Sequence, residues 1–293
     1  MRNRRAWGQH ARVLLALLAF WAAGLRGLGT ASFWYDEIFN ADLALNYSTG
    51  GLLHLLRTAQ PYPPLYLLLL KGWSAVTGAQ PYAPGLSGSA EPSAPLEFLL
   101  RFPSVAAALL ALAAAATLGR RSGLRQAWAV PLLLALHPTW LEYARDARMY
   151  PLWTFLVLVA LLGLTARRPL LWVLAGSAAL LTHYFSLFPL LGAVGAVFVL
   201  RGPHPIRRRG DNAPVSSRSL LWLGLPFLPA ALWALWALPV TAGFHSFATS
   251  TPPTLPVFLE ELGGLLSGRG ALAPLSRALS PAWHQGLLAA GAL

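Results

Sequence analysis

The chain contains no cysteine, and charge is scarce: Asp and Glu together number 10, and charged residues make up 11% of the 293 positions. Without cysteine there is no disulfide framework, no thiolate metal site and no cysteine nucleophile, and the redox compartment is left open. So little charge excludes an ordinary soluble domain, in which about 25% of residues are charged. The shortage of acids against 22 Lys and Arg gives a net charge of +12. The basic residues are interspersed with Leu and Ala runs instead of forming one solvated patch, so no nucleic-acid partner is expected. What the chain has in abundance is apolar side chains, 56% of the sequence, and the reading that fits is an integral membrane protein with membrane lipids as its surroundings.

A membrane span takes about 20 mostly apolar residues, with about 17 as the lower end. Residues 102–119, 126–141, 151–166, 170–182, 185–200 and 220–240 contain no Asp, Glu, Lys or Arg, and 13–29 contain only Arg26. Arg2, Arg4, Arg5 and Arg12 precede the first run, which sets a cytoplasmic N-terminus by the positive-inside bias. A cleaved signal peptide is the alternative, and Thr30-Ala31-Ser32 is a poor cleavage site for it. Residues 64–78 are apolar but short, with Lys71 near the centre. Were they to cross, the arginines at 120–125, 167–168 and 201–218 would move outside, so the segment reads as an interfacial or re-entrant helix. Between Arg168 and Arg201 the apolar stretch is a short pair of arms whose tip, Thr182-His183-Tyr184-Phe185, sits at or just below the outer interface.

The expected fold is an all-α integral membrane bundle of about seven transmembrane helices, multi-pass in the cell membrane, with juxtamembrane helices in the first outer loop. Residues 1–240 form the transmembrane module and 241–293 an external C-terminal segment. Segments 79–95 and 202–219 read as connectors from their composition. Residues 42–60 read as an amphipathic helix interrupted at Gly50-Gly51, and 256–266 have a similar pattern with Glu260 and Glu261.

With that topology every acid except Asp211 lies outside, and the spans carry no Asp, Glu, Lys or Arg apart from Arg26, with His137 and His183 near outer ends. A transporter or channel places such groups near the midplane, so the chemistry is expected at the external face. Two clusters stand there: Phe33-Trp34-Tyr35-Asp36-Glu37, directly after the first run, and Glu142-Tyr143-Ala144-Arg145-Asp146-Ala147-Arg148-Met149-Tyr150, a turn between two runs. Such a turn can be a plain solvated loop that caps helix ends. Its residue types also suit chemistry, since a carboxylate serves as general base and arginine grips phosphate in bidentate fashion.

Trp34-Tyr35-Asp36-Glu37, Pro63-Pro64-Leu65-Tyr66-Leu67-Leu68, Arg101-Phe102-Pro103-Ser104, Ala144-Arg145-Asp146-Ala147-Arg148-Met149-Tyr150 and Thr182-His183-Tyr184-Phe185, in that order, resemble the motifs of bacterial GT-C glycosyltransferases. The nearest branch in character is the family-39, protein O-mannosyltransferase-like and aminoarabinose transferase-like membrane proteins. The resemblance runs from about residue 13 to 240. It implies a seven-span catalytic module, a sugar donor linked to polyprenyl phosphate, a lipid, glycan or protein acceptor, and inversion at the anomeric carbon at the outer face. Asp36 matches the acid proposed as catalytic base, Glu37 its neighbour, and Asp146 the second acidic position. Glycosyl transfer needs a base on one side and positive charge on the other, and Arg148, Arg145, Lys71 and Arg101 are the candidates for the departing phosphate. Tyr35, Tyr66, Tyr150, His183 and Tyr184 belong to the expected substrate cavity.

Tyr62 stands where many relatives have His or Lys before the paired prolines. The apolar run at 286–293 resembles the start of another span, as in a short or truncated variant. His137, before Pro138, reads as structural. Asp36, Glu37, Asp146 and His183 would make a metal site only if their loops met; no cofactor is expected, and a divalent cation is left open. Two other classes compete with an enzyme: a flippase or transporter of lipid-linked substrates, and an inactive membrane scaffold.

Overall fold

Helices make up the regular structure of the computed structural model, and there is no strand among the described residues, which are 2–58, 62–80, 94–201 and 217–241. The segment 241–293 beyond Thr241, most of both connectors, and Glu91, Asp211, Glu260 and Glu261 lie outside them.

The chain enters through α1 (Arg2–Leu25) and then forms three short helices, α2 (Tyr35–Asn46), α3 (Thr49–Thr58) and α4 (Leu65–Thr77), where juxtamembrane helices are expected. The break between α2 and α3 falls at Tyr47-Ser48 and not at Gly50-Gly51. Ser48 is the reason: its Oγ accepts from the Gly51 N–H at 3.1 Å, capping the first turn of α3 and leaving both glycines inside it. Leu43, Leu52, Leu56, Leu67, Leu70 and Leu100 close into one core beneath these helices.

The central element is α5 (Ala94–Arg121), whose Ala107, Ala108, Ala111, Ala114, Ala115 and Ala116 are all buried. Small side chains let neighbouring helix backbones approach closely. A Cβ on Gly24 of α1 would come within 2.8 Å of Val105, so the two helices cross where neither is bulky. Pro103 lies inside α5 and cannot donate to the carbonyl four residues back. The Trp73 indole fills that role, with Nε1 donating to the Leu99 carbonyl at 2.7 Å while its ring stacks on Phe102.

The run 126–141 is not one straight helix. It divides into α6 (Ala129–Leu136) and α7 (Pro138–Ala144), with Pro138 at the first position of α7, where its fixed φ and missing N–H are tolerated. Next come α8 (Tyr150–Thr165) and α9 (Pro169–Thr182), packed so closely that a Cβ on Gly163 would meet the Trp172 backbone nitrogen at 2.5 Å. A 3₁₀ turn (Tyr184–Ser186) leads into α10 (Leu187–Arg201), and the run 220–240 is again broken, into α11 (Ser217–Gly224) and α12 (Phe227–Thr241).

Among the described residues two helices, over Gly8–Leu25 and Leu96–Arg121, are long and apolar enough to cross a membrane. The shorter apolar helices, α8 with 16 residues, α9 with 14, α10 and α12 with 15, extend about 21–24 Å at 1.5 Å per residue, short of a hydrocarbon core of about 30 Å. The outward faces of α6, α9, α10 and α12 are nonetheless apolar: Leu133, Leu174, Phe188, Leu191, Leu232 and Leu235 are exposed, as are Leu14, Leu15 and Leu18 of α1.

The two ends of the bundle differ. At one, Gln9 Nε2 donates to the Arg125 carbonyl at 3.0 Å and the Arg12 guanidinium lies over the Trp128 ring. This joins the basic start of α1 to the basic turn after α5. At the other, Arg145 Nη2 donates to the carbonyls of Arg26 and Gly27 at 2.8 and 3.2 Å, joining the exit of α1 to the turn before α8.

Candidate functional site

That second end holds both acidic clusters. Asp36 and Glu37 occupy the first turn of α2, where carboxylates are favoured by the helix dipole, but they face different surroundings. Glu37 is 0% exposed. Its Oε1 accepts from Arg101 Nε at 2.8 Å and from the Ala147 N–H at 2.7 Å. Its Oε2 accepts from Arg101 Nη2 at 2.7 Å and from the Trp34 N–H at 3.3 Å. Arg101 completes its fork on the carbonyls of Leu28, Ala31 and Ser32 at 3.0, 2.7 and 3.1 Å. All five guanidinium N–H donors are thereby used.

The pair binds α2, α5, the loop leaving α1 and the turn before α8 into one block. Glu37 has no lone pair free for a substrate proton, and Arg101 has no donor free for a phosphate. Both therefore depart from the roles expected of them and act as scaffold.

Lys71 and Arg145 depart similarly. Lys71 Nζ, on α4, donates to the carbonyls of Ala44 and Tyr47 at the end of α2, the placement that a helix C-terminus favours for a cation. Arg145 is engaged at the end of α1, as above. The folded chain directs Lys71 Nζ and Arg145 Nη2 to the carbonyls of helix ends, and the Arg145 Nε is buried without a hydrogen-bond partner.

Arg148 differs. Its Nη2 lies 3.2 Å from Asp36 Oδ2, with the Arg148 side chain 12% exposed and that of Asp36 36%. The same nitrogen donates to the Tyr150 hydroxyl at 3.2 Å, and the guanidinium sits over the rings of Trp34 and Tyr150, an arrangement suited to the flat face of arginine. Its Nε is buried and has no hydrogen-bond partner. The Asp146 carboxylate, on the same turn, forms no hydrogen bond or ion pair among the described residues. Burial, reinforced by the negative charge of Glu37, raises its carboxyl from the usual 3.8 to about 6.

The aromatic candidates divide. Tyr35 is 82% exposed and touches no other ring. Tyr66 is buried, which raises its phenol well above the ordinary value. Its hydroxyl is close enough to Ser104 to feel it but makes no hydrogen bond of standard geometry. Tyr150 packs on Tyr143 and on His183, and His183 stacks on Trp153 with centroids 5.0 Å apart. Burial and the nearby Arg148 charge lower the His183 pKa, and its Nδ1 accepts from the Phe185 N–H at 3.1 Å. The imidazole is therefore neutral at pH 7 with its proton on Nε2. The Tyr184 hydroxyl accepts from Trp233 Nε1 at 3.3 Å.

Asn40, Tyr62, Tyr66, Arg148, Met149 and Thr182 line a cavity of about 20 Å³, room for roughly one water molecule. Among the described residues no group of three or more His, Asp or Glu side chains could hold a metal. The loops do meet, but the oxygens of Glu37 are spent and Asp36 faces an arginine. Two residues that hold this site together carry no flag in the sequence. Asn40 is one of several polar residues of α2, and Ser104 is the last member of Arg-Phe-Pro-Ser. Comparison of the chain with family models, with curated proteins and with solved structures gives no match.

Proposed function

We propose that the chain is an integral membrane glycosyltransferase of the GT-C kind. It moves a hexose, mannose-like sugar from a polyprenyl-phosphate donor to a lipid, glycan or protein acceptor, with inversion, at the outer face of the cell membrane. The observation that carries this reading is the Asp36–Arg148 pair at 3.2 Å, a partly exposed carboxylate beside a guanidinium whose buried Nε has no hydrogen-bond partner. In the reaction an acceptor hydroxyl attacks the anomeric carbon, its proton passes to Asp36, and the bond from that carbon to the phosphate oxygen breaks with its electrons on the phosphate. Arg148 meets the charge that develops there with the guanidinium that Trp34 and Tyr150 brace.

The membrane setting is supported by the apolar outward faces, by the two helices of spanning length, and by the gathering of basic segments at the end opposite the acids. In this setting α1, α5, the bent pair α6–α7, α8, α9, α10 and the broken pair α11–α12 give about seven crossings. The short arms α9 and α10 set His183 just inside the outer interface, with α2, α3 and α4 along it. The reading is tested by Asp36→Asn: transfer from a polyprenyl-phosphate sugar is abolished while membrane insertion is unchanged. Full activity in that variant would sink it, and transbilayer movement of the lipid without transfer would favour a flippase.

A further inference from the structure

We propose that Asn40 and Ser104 are positioning residues for the transfer centre, clamping the peptide units on either side of the Arg148 Cα so that its guanidinium is delivered to Asp36. The proposal rests on the reading of Asp36 and Arg148 given above.

Residues 145–149 form an irregular turn with little hydrogen bonding of its own; the Arg148 N–H reaches back to the Asp146 carbonyl at 2.7 Å, too tight a loop to fix a long side chain by itself. Three further backbone groups of the turn are satisfied from outside. Ala147 is held at both poles from α2, its N–H by Glu37 at 2.7 Å and its carbonyl by Asn40 Nδ2 at 2.9 Å. The Arg148 carbonyl is held from α5 by Ser104 Oγ at 3.0 Å. Both clamping side chains are buried, Asn40 at 5% and Ser104 at 2% exposure.

Asn40 lies four residues after Asp36, so the two share one face of α2. The helix that carries the base thus also fixes the turn that carries the cation, and their separation is set by one rigid element. Asn is a weaker helix former than Ala; a donor aimed at the Ala147 carbonyl gives it a reason to be there. Alignment of this kind counts, because a misplacement of about 1 Å in a catalytic group costs roughly 10²-fold in rate.

The test uses full-length protein in proteoliposomes, with polyprenyl-phosphate mannose, tritiated in the sugar, as the probe donor. Asn40→Asp keeps the shape and removes the donor; Ser104→Ala removes one hydroxyl from a different helix, so a folding defect at one position does not hide the result at the other. Each is expected to lower kcat for release of label about tenfold, with the donor KM changed less than about twofold, the signature of an interaction made in the transition state. In an otherwise cysteine-free Asp146→Cys chain, adding Asn40→Asp should speed maleimide labelling several-fold. Release of label at unchanged kcat in both variants overturns the clamp alone, as does a labelling rate that ignores Asn40. A wild type that releases no label overturns the transfer reading itself, and the clamp's part in transfer with it.

Discussion

Arg148 Nη2 stands 3.2 Å from Asp36 Oδ2 and is braced over Trp34 and Tyr150, so the first acidic cluster and the turn before α8 form one site. Lysine at 148 keeps the charge but loses the flat group that stacks on two rings and the Nε that faces the interior. Arg148→Lys is therefore expected to lower kcat for transfer by roughly 10²–10³-fold. Its thermal stability should stay close to wild type, because a partly exposed ion pair contributes at most about 1 kcal/mol. Label release and a melting curve in detergent check both halves. Wild-type rates in Arg148→Lys would remove Arg148 from the mechanism.

Glu37 and Arg101 behave in the opposite way. Glu37→Gln leaves a buried guanidinium without its counter-charge, and breaking such a pair costs about 3–5 kcal/mol. Replacing Arg101 as well does not restore stability, since the carbonyls of Leu28, Ala31 and Ser32 then lose their donors. Denaturation of the purified variants should show Glu37→Gln and Arg101→Met each strongly destabilised and the double variant no better than the milder single. A stable Glu37→Gln protein with impaired transfer would return Glu37 to the chemistry.

The acidic clusters and the helical class were legible because composition and runs of apolar residues act locally. What was not legible is how donors are shared over long range. Lys71, Arg101 and Arg145 were candidate phosphate ligands because the expected topology brings each to the outer face with the acids, yet helix ends leave carbonyls that need donors wherever the chain turns. Those carbonyls belong to residues remote in sequence, Leu28 for Arg101 and Ala44 for Lys71. The break at Ser48 could have been found, since a serine three residues before an unpaired amide is a helix start; the two glycines drew attention from it. Asn40 gave no local sign at all, because its partner is the Ala147 carbonyl.

Sidedness has a direct check, because the chain has no cysteine of its own. Glu37 is a poor reporter, being fully buried; Tyr35, Glu142 and Arg121 are exposed. In intact cells an impermeant maleimide should label Tyr35→Cys and Glu142→Cys and leave Arg121→Cys untouched until the membrane is opened. Labelling of 35 and 142 from opposite sides would break the site, and labelling of 121 from outside would invert the topology.

Asp146 offers a prediction about pH. Its carboxyl is raised to about 6 by burial and by Glu37, against 3.8 for the ordinary group. Between those values the folded chain binds more protons than the unfolded one, so stability falls as pH rises through the window. Below 3.8 both states are protonated and above 6 both are charged, so the penalty is absent at the acid end and constant at the alkaline end. Asp146→Asn removes the penalty. Its melting temperature should therefore exceed that of wild type at pH 7.5, and the gap should close as pH falls from about 6 toward 4. Melting of both proteins across pH 4–8 measures it directly. A gap of the opposite sign, or one that does not change with pH, would mean that the Asp146 carboxylate has a favourable partner in the folded protein, and that its free carboxyl beside Arg148 is not held at a cost in stability.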